Sequence, residues 1–415
     1  MLFSVLIAEP KSVNNLYPFS LLHCSWEIRC GALRLFEKIQ SRFSDSPITF
    51  SGRGAHIRSF SSRFSLDYHH PIGNLLIIHG GLLVTKTLAF IINQAINYTP
   101  DQSITFTSNT EVVACYIPEH LLKTQDQEFQ PESPFFEDYL LHPALKNTVS
   151  REVEAHIITY LWDAIHHNGN SINDDSDLFT GFEPIRSSPL LGVFIENPDM
   201  VFSGKNISIA PNVVIDATNG AIIIGNSVCI MPQSTIIGPC YIGDSSIVKI
   251  GAKLYGNTSI GEFCKVGGEI DTSIIHAYSS KQHDGFLGNS YLGEWVNLGA
   301  DCNTSNLKNT YGTVSVKLNN KQINTGQMFL GLLCGDHTKA GINTMFTTGT
   351  ITGIFANIVG GGFFPQAISS FNWGGLPDSP RYQLDKAISV AEIVMKRRNY
   401  IPTEEEKVLW KSVFG

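Results

Sequence analysis

Aliphatic residues recur at every sixth position through the second half of the chain: Ile224, Ile230, Ile236, Ile242, Val248, Leu254, Ile260 and Val266. A helix of 3.6 residues per turn cannot keep such positions on one stripe. A coil of short strands can. Each repeat then forms one flat side and one corner, and the aliphatics stack up the inside. Small or polar residues stand at the expected corners, as in "IGNSVC", "IIGPCY", "IGDSSI" and "IGEFCK". Ile209 and Ile215 precede the run, offset by "ATNG", and Phe286, Leu292 and Leu298 resume it. A polar excursion, "ADCNTSNLKNTYGTVSVKLNNKQINTGQ", then leaves the coil before Ile342, Thr348 and Ile354 restore the spacing. Such excursions from a rigid scaffold are where sites are built.

Before residue 190 the pattern is different. "FSVLIAE" and "NLLIIHGGLLV" read as strands, whereas "GALRLFEKIQSRF", "LAFIINQAIN" and "EAHIITYLWDAIHHNGN" carry apolar residues at helical spacing. This alternation predicts an α/β domain over residues 1–185, with "GFEPIRSSP" (181–189) as linker. The β-helix is expected over 190–375 and a helical appendix over 376–415. In the appendix, Leu384, Ala387, Ile388, Ala391, Val394 and Met395 share one helical face, and "TEEE" at 403–406 forms a capping box.

Composition narrows the partners. The 415 residues exceed one ordinary core, and the net charge of −8 lacks the basic footprint of a nucleic-acid binder. An anionic substrate needs a local basic pocket against that field. The eight cysteines form no C-x-x-C pair and read as reduced thiols of a cytoplasmic protein. "MLFSVLIAEPK" lacks a basic leader and reads as a first strand, and no apolar run reaches membrane-spanning length.

Two stretches carry a family resemblance: "VGGEIDTSIIHAYSSKQHDGFLGNSYLGEWVNLGADCNTSNLKNTYGTV" and "GDHTKAGINTMFTTGT". They resemble the left-handed β-helix acyltransferases, above all the acetyltransferase domain of the bifunctional UDP-N-acetylglucosamine pyrophosphorylase/glucosamine-1-phosphate N-acetyltransferases. "LYPFSLLHCSWEIRCGALRLFEKIQ" and "TEEEKVLWKSVF" resemble the alternative bacterial form, in which a short nucleotidyltransferase-like domain precedes the β-helix. The resemblance implies the coil's left hand, a homotrimer, acetyl-CoA as cosubstrate and an amino-sugar phosphate as acceptor. UTP and Mg²⁺ follow if the first domain transfers a uridylyl group.

The resemblance also implies roles. His283 falls on the catalytic base, a task that suits a near-neutral pKa. A turn histidine is the plainer reading of the same residue. Asn297 and Asn306 fall on substrate-orienting amides, and Ala300 on a backbone position near coenzyme A. Lys308 is a candidate for the sugar phosphate or for the coenzyme A phosphates, Lys281 for substrate binding, and His337 for the coenzyme. The family's tyrosine three residues after the base is Phe286 here. A zinc reading through His276, His283 and His337 meets the seven-residue gap between the first two, which breaks the six-residue frame. In the first domain neither a Gly-rich phosphate loop nor a clear Mg²⁺ aspartate stands out. Arg29 and Lys38 are candidates for phosphate, and Asp163 and "NDDSD" (173–177) for the metal, with a solvated loop as the plainer reading of that run.

Overall fold

The computed structural model describes residues 3–66, 71–122, 134–179, 181–184 and 192–415. The N-terminal part centres on a mixed sheet. Strand β1 (Ser4–Ala8) is fully buried and pairs in parallel with β2 (Ile48–Ser51) and β3 (Leu75–His79). Antiparallel Glu111–Ile117 and Ile104–Ser108 follow, with Val149–Glu152 at the edge. Helices α1 (Leu35–Arg42), α2 (Gly54–Phe64) and α3 (Lys86–Tyr98) bury their apolar stripes in the same core as Phe3, Trp26 and Phe60.

"EAHIITYLWDAIHHNGN" is not one helix. His156–Ile157 form a short strand, and the helix runs Leu161–Asp175. Asp163 sets that start by accepting the backbone N–H groups of Thr159 (3.0 Å) and Tyr160 (2.8 Å). Most of the expected linker lies outside the described residues. Its Glu183–Pro184 pairs antiparallel with Val201–Ser203.

From residue 194 the chain winds through three stacks of short, parallel strands. They form a nine-stranded face, a six-stranded face and nine strands of a ten-stranded face, whose tenth is the antiparallel Glu183–Pro184, among the described residues. The stacks fit a left-handed β-helix. All eight residues of the six-spaced run are at most 1% exposed, and they form one column-like core. Two later registers differ from expectation. Leu287, not Phe286, turns inward, because Leu287 pairs with core Ile270 whereas Phe286 pairs with Glu269 on the outer side. Beyond the excursion the inward positions are Cys334, Ala340, Phe346 and Ile358, two residues before or four after the positions expected, and Ile342 is 69% exposed.

The excursion folds back as a hairpin, Ser315–Leu318 with Lys321–Asn324. Its Val316 and Leu318 share a core with Val13 and Leu16 of the N-terminal part. The C-terminal helices, Leu384–Lys396 and Glu404–Phe414, cover the corner between the ten- and nine-stranded faces. Thr403 and Glu406 form the predicted capping box. That corner holds a run of near-parallel rings: Phe263–Tyr278, Tyr278–Trp295, Trp295–His337, His337–Phe355 and Phe355–Phe371. Each ring sits on a residue with φ between 52° and 62°, the left-handed corner conformation that repeats once per coil.

Candidate functional site

The segment that carries His283 is a corner between strand Ser280–Lys281 on the nine-stranded face and strand Phe286–Gly288 on the six-stranded face. His283 itself is exposed. Ser280 pairs with Asn297 of the next coil, so exposed Asn297 stands on the same face, one layer on. Asp301 N donates to the Asp284 carbonyl (2.9 Å), which places Ala300 on the same corner one layer on.

Lys281 is only 2% exposed. It pairs with Val266 and occupies an inward position of the apolar stack. Its Nζ donates to the carbonyl oxygens of Gly267 (3.0 Å) and His283 (2.5 Å). Burial pushes its pKa down to about 8. Lys281 therefore braces the His283 corner from inside, where the sequence reading expected it to bind substrate. Strand alternation decides this: Ser280 points out, so Lys281 points in.

Asn306 lies at the other end of the six-stranded face. Its Nδ2 donates to Asn289 Oδ1 (2.8 Å), and its backbone carbonyl accepts from Leu330 N (2.8 Å). A Cβ on Gly288 would lie 2.5 Å from the Phe286 ring and 2.7 Å from Asn306 Nδ2, so ring and amide meet over the bare backbone of Gly288. The strand Phe286–Gly288 lies between the His283 corner and Asn306, a span of roughly 10 Å at ~3.3 Å per residue. One chain thus presents His283, Asn297 and Ala300 on one corner, and Asn306 on the next. Lys308 Nζ donates to the Thr313 carbonyl (2.6 Å) within the excursion.

Three other expected contacts are taken up within the protein. Arg29 is fully buried; its Nη2 pairs with Glu262 (2.6 Å) and its guanidinium lies over Tyr241, so no part of it meets an open cleft. Lys38 is buried in an ion pair with Asp175. His337 is stacked on Phe355 at 4.4 Å and edge-on to Trp410 at 5.1 Å, beneath the C-terminal helices. Burial lowers its pKa well below the usual value.

The acidic run is not a solvated loop either. It ends the Leu161–Asp175 helix, and Asp174 and Asp177 pair with Arg42 (3.0 and 2.9 Å). With Asp163 used as a helix cap and Asp175 on Lys38, these carboxylates do not fit a Mg²⁺ site.

A buried charge network escaped the sequence reading. His23 lies between Glu27 (3.1 Å) and Asp336 (2.6 Å). Burial opposes its charge, but the two carboxylates outweigh that and raise its pKa to about 10. Glu27 also meets Arg63, and Arg34 bridges Glu262 (3.2 Å) and Glu294 (3.8 Å). Against burial, Arg63 and His23 hold Glu27 at about 2, and Arg29 and Arg34 hold Glu262 at about 2. His23, Glu294 and Asp336 have ligand-type atoms within 4.8 Å of one another. The cations already there are His23 and the arginines, so the chemistry is that of an ionic seam between the N-terminal part and the coil. Its sequence signal was the acid after a corner glycine, Glu262 in "IGEFCK", Glu294 in "LGEWVN" and Asp336 in "CGDHTK".

Comparison with known proteins agrees with this two-part build. Residues 5–182 match the family model described as sugar nucleotidyl transferase. A protein named bifunctional protein GlmU from Methanococcus aeolicus is 26% identical over 302 residues, 69% of this chain and 70% of that protein. The chain resembles sugar nucleotidyl transferases over its first part and GlmU proteins over as much as 69% of its length. GlmU of Buchnera aphidicola is 31% identical over 183 residues, 37% of this chain and 36% of that one. GlmU of Anaplasma marginale (strain Florida) is 32% identical over 116 residues, 26% of each chain. The chain thus spans between a quarter and about a third of the length of these last two relatives. The coil of this chain leaves His283 outside and Lys281 inside. No helix among the described residues is long and apolar enough to cross a membrane.

Proposed function

We propose that the β-helix transfers an acetyl group from acetyl-CoA to the amine of an amino-sugar phosphate, with glucosamine 1-phosphate as the first acceptor to test. The observation that carries this reading is the exposed His283 on a braced corner, in a coil whose relatives are named bifunctional GlmU proteins. His283 would take a proton from the free amine as its nitrogen bonds to the thioester carbonyl carbon, and would return it to sulfur as the C–S bond breaks, so that coenzyme A leaves as the thiol. Asn297 and Asn306 would orient the sugar. Their placement on two different corners favours an acceptor held between copies of the chain, as a homotrimer would provide. Phe286 would contribute a ring face and no hydroxyl.

The test is release of free thiol from acetyl-CoA with glucosamine 1-phosphate, on the wild type and on His283→Ala. Turnover in the wild type that vanishes in the variant supports the proposal. Full turnover in His283→Ala overturns the role of the base.

A second reading concerns the first domain alone. Its match to sugar nucleotidyl transferases favours uridylyl transfer from UTP, with the coil as a trimerising scaffold. Against it, the segment after β1 is packed on the coil through Phe19, His23 and Arg29. Pyrophosphate release from UTP and a sugar phosphate, without thiol release, would favour this second reading.

A further inference from the structure

A cleft of about 440 Å³ lies between the Leu161–Asp175 helix and the corner that joins the six- and ten-stranded faces. The coil supplies Asn257 and Asn289, the helix supplies Asn170 and His166, and the end of the excursion supplies Gln327 and Phe329. We propose that this cleft binds a neutral pyranose ring.

The lining selects that class of ligand. Four of the lining residues carry side-chain amides, and none of the lining residues is Lys, Arg, Asp or Glu. A phosphate or carboxylate would lose its hydration here without a fixed counter-charge, His166 being the one titratable group. Each amide offers a carbonyl acceptor and two N–H donors, which matches the donor and acceptor of neighbouring sugar hydroxyls. Asn289 Oδ1 already accepts from Asn306, so its amide N–H groups are the part left for a ligand. Phe329 is 45% exposed and supplies an apolar face of the kind the C–H side of a pyranose covers. The volume is in the range of small-molecule sites and exceeds one hexose.

The cleft is also built rather than incidental. Gly169 lets the helix approach so closely that a Cβ there would lie 1.8 Å from Asn257 Oδ1. Asn168 Nδ2 donates to the Asn257 carbonyl (2.8 Å) and fixes the two walls together. The cleft touches the residues of the acetyl-transfer reading through the Asn289–Asn306 bond, and its ligand does not depend on that reading.

The experiment is saturation-transfer NMR and calorimetry on the full chain, with methyl β-glucopyranoside and its 2-acetamido analogue as neutral probes and glucose 1-phosphate as the charged one. Saturable binding of a neutral probe is expected, at least tenfold weaker in Asn170→Ala/Gln327→Ala and unchanged in His283→Ala. Asn170→Trp, which fills the cleft from an exposed helix position, is expected to abolish binding while the circular dichroism is retained. No saturable binding of either neutral probe overturns the proposal. So does binding that survives both cleft variants, and binding that is lost only in His283→Ala places the sugar on the other corner instead.

Discussion

Lys281 Nζ donates to the backbone carbonyl of His283 at 2.5 Å from within the apolar stack of the coil. A second bond, to Gly267 at 3.0 Å, ties the same ammonium to the preceding layer. The histidine proposed as base is thus held through its backbone by a buried cation two residues away, leaving its ring in solvent. Lys281→Met removes the brace but keeps an unbranched side chain in the stack. Acetyl transfer is expected to fall at least tenfold in kcat, with the thermal midpoint unchanged or raised, because a buried charge has been replaced by apolar atoms. Unchanged kcat would show that the brace plays no part in turnover.

The pKa of Lys281 gives that brace a pH signature. Its folded value of about 8 lies below the ordinary 10.5, so folding carries its full cost below pH 8. Between about pH 8 and 10.5 the unfolded chain holds the extra proton, and this cost is relieved as pH rises. Wild type minus Lys281→Met stability, followed by urea unfolding, should therefore rise across that window. A flat difference would show that the ammonium is not buried in solution.

The ionic seam predicts a plateau. His23 is raised from 6.5 to about 10, so its stabilisation is full below pH 6.5 and is lost as pH climbs through 10. Glu27 and Glu262 are lowered from 4.5 to about 2, so theirs is full above pH 4.5 and is lost as pH falls toward 2. The seam should be strongest between about pH 4.5 and 6.5. His23→Leu leaves Glu27 and Asp336 short of a cation and should cost about 3–5 kcal/mol. Urea titrations across this range check both, and an alkaline limb of equal slope in wild type and variant would refute the role of His23.

Gly169 tests the approach of the long helix to the coil. In a free helix Ala in place of Gly stabilises by roughly 1 kcal/mol. Here the added Cβ would collide with Asn257 Oδ1, so Gly169→Ala should lower the unfolding free energy instead. A more stable variant would mean that the helix does not lie against that corner.

Trp410 is 2% exposed and meets both His337 and Phe355 edge-on. Trp410→Ala should cost about 3–5 kcal/mol and open the ring column to hydrophobic dyes. Dye binding equal to wild type would show that the helices cover the corner without this anchor.

The six-residue spacing was enough to specify the coil, because a buried column demands the same residue class at the same place in every layer. The capping box at Thr403 and Glu406 was legible for a similar reason, since both partners lie within four consecutive residues. Local order likewise announced β1 and β3. Registers after an insertion were not legible: Phe286 and Leu287 are both apolar, and only pairing with Glu269 and Ile270 decides which one faces in. Lys281 was read as a ligand residue because a lysine is ordinarily exposed, and strand alternation within the coil put it inside. Arg29, His23 and Lys38 found their partners across 233, 313 and 137 residues of chain, distances over which no periodicity can speak. The sequence by itself determined the repeating element and its corners. The tertiary structure alone decided which charges are spent on holding the parts together and which remain free for a ligand, because burial and pairing are properties of surfaces that meet only after folding.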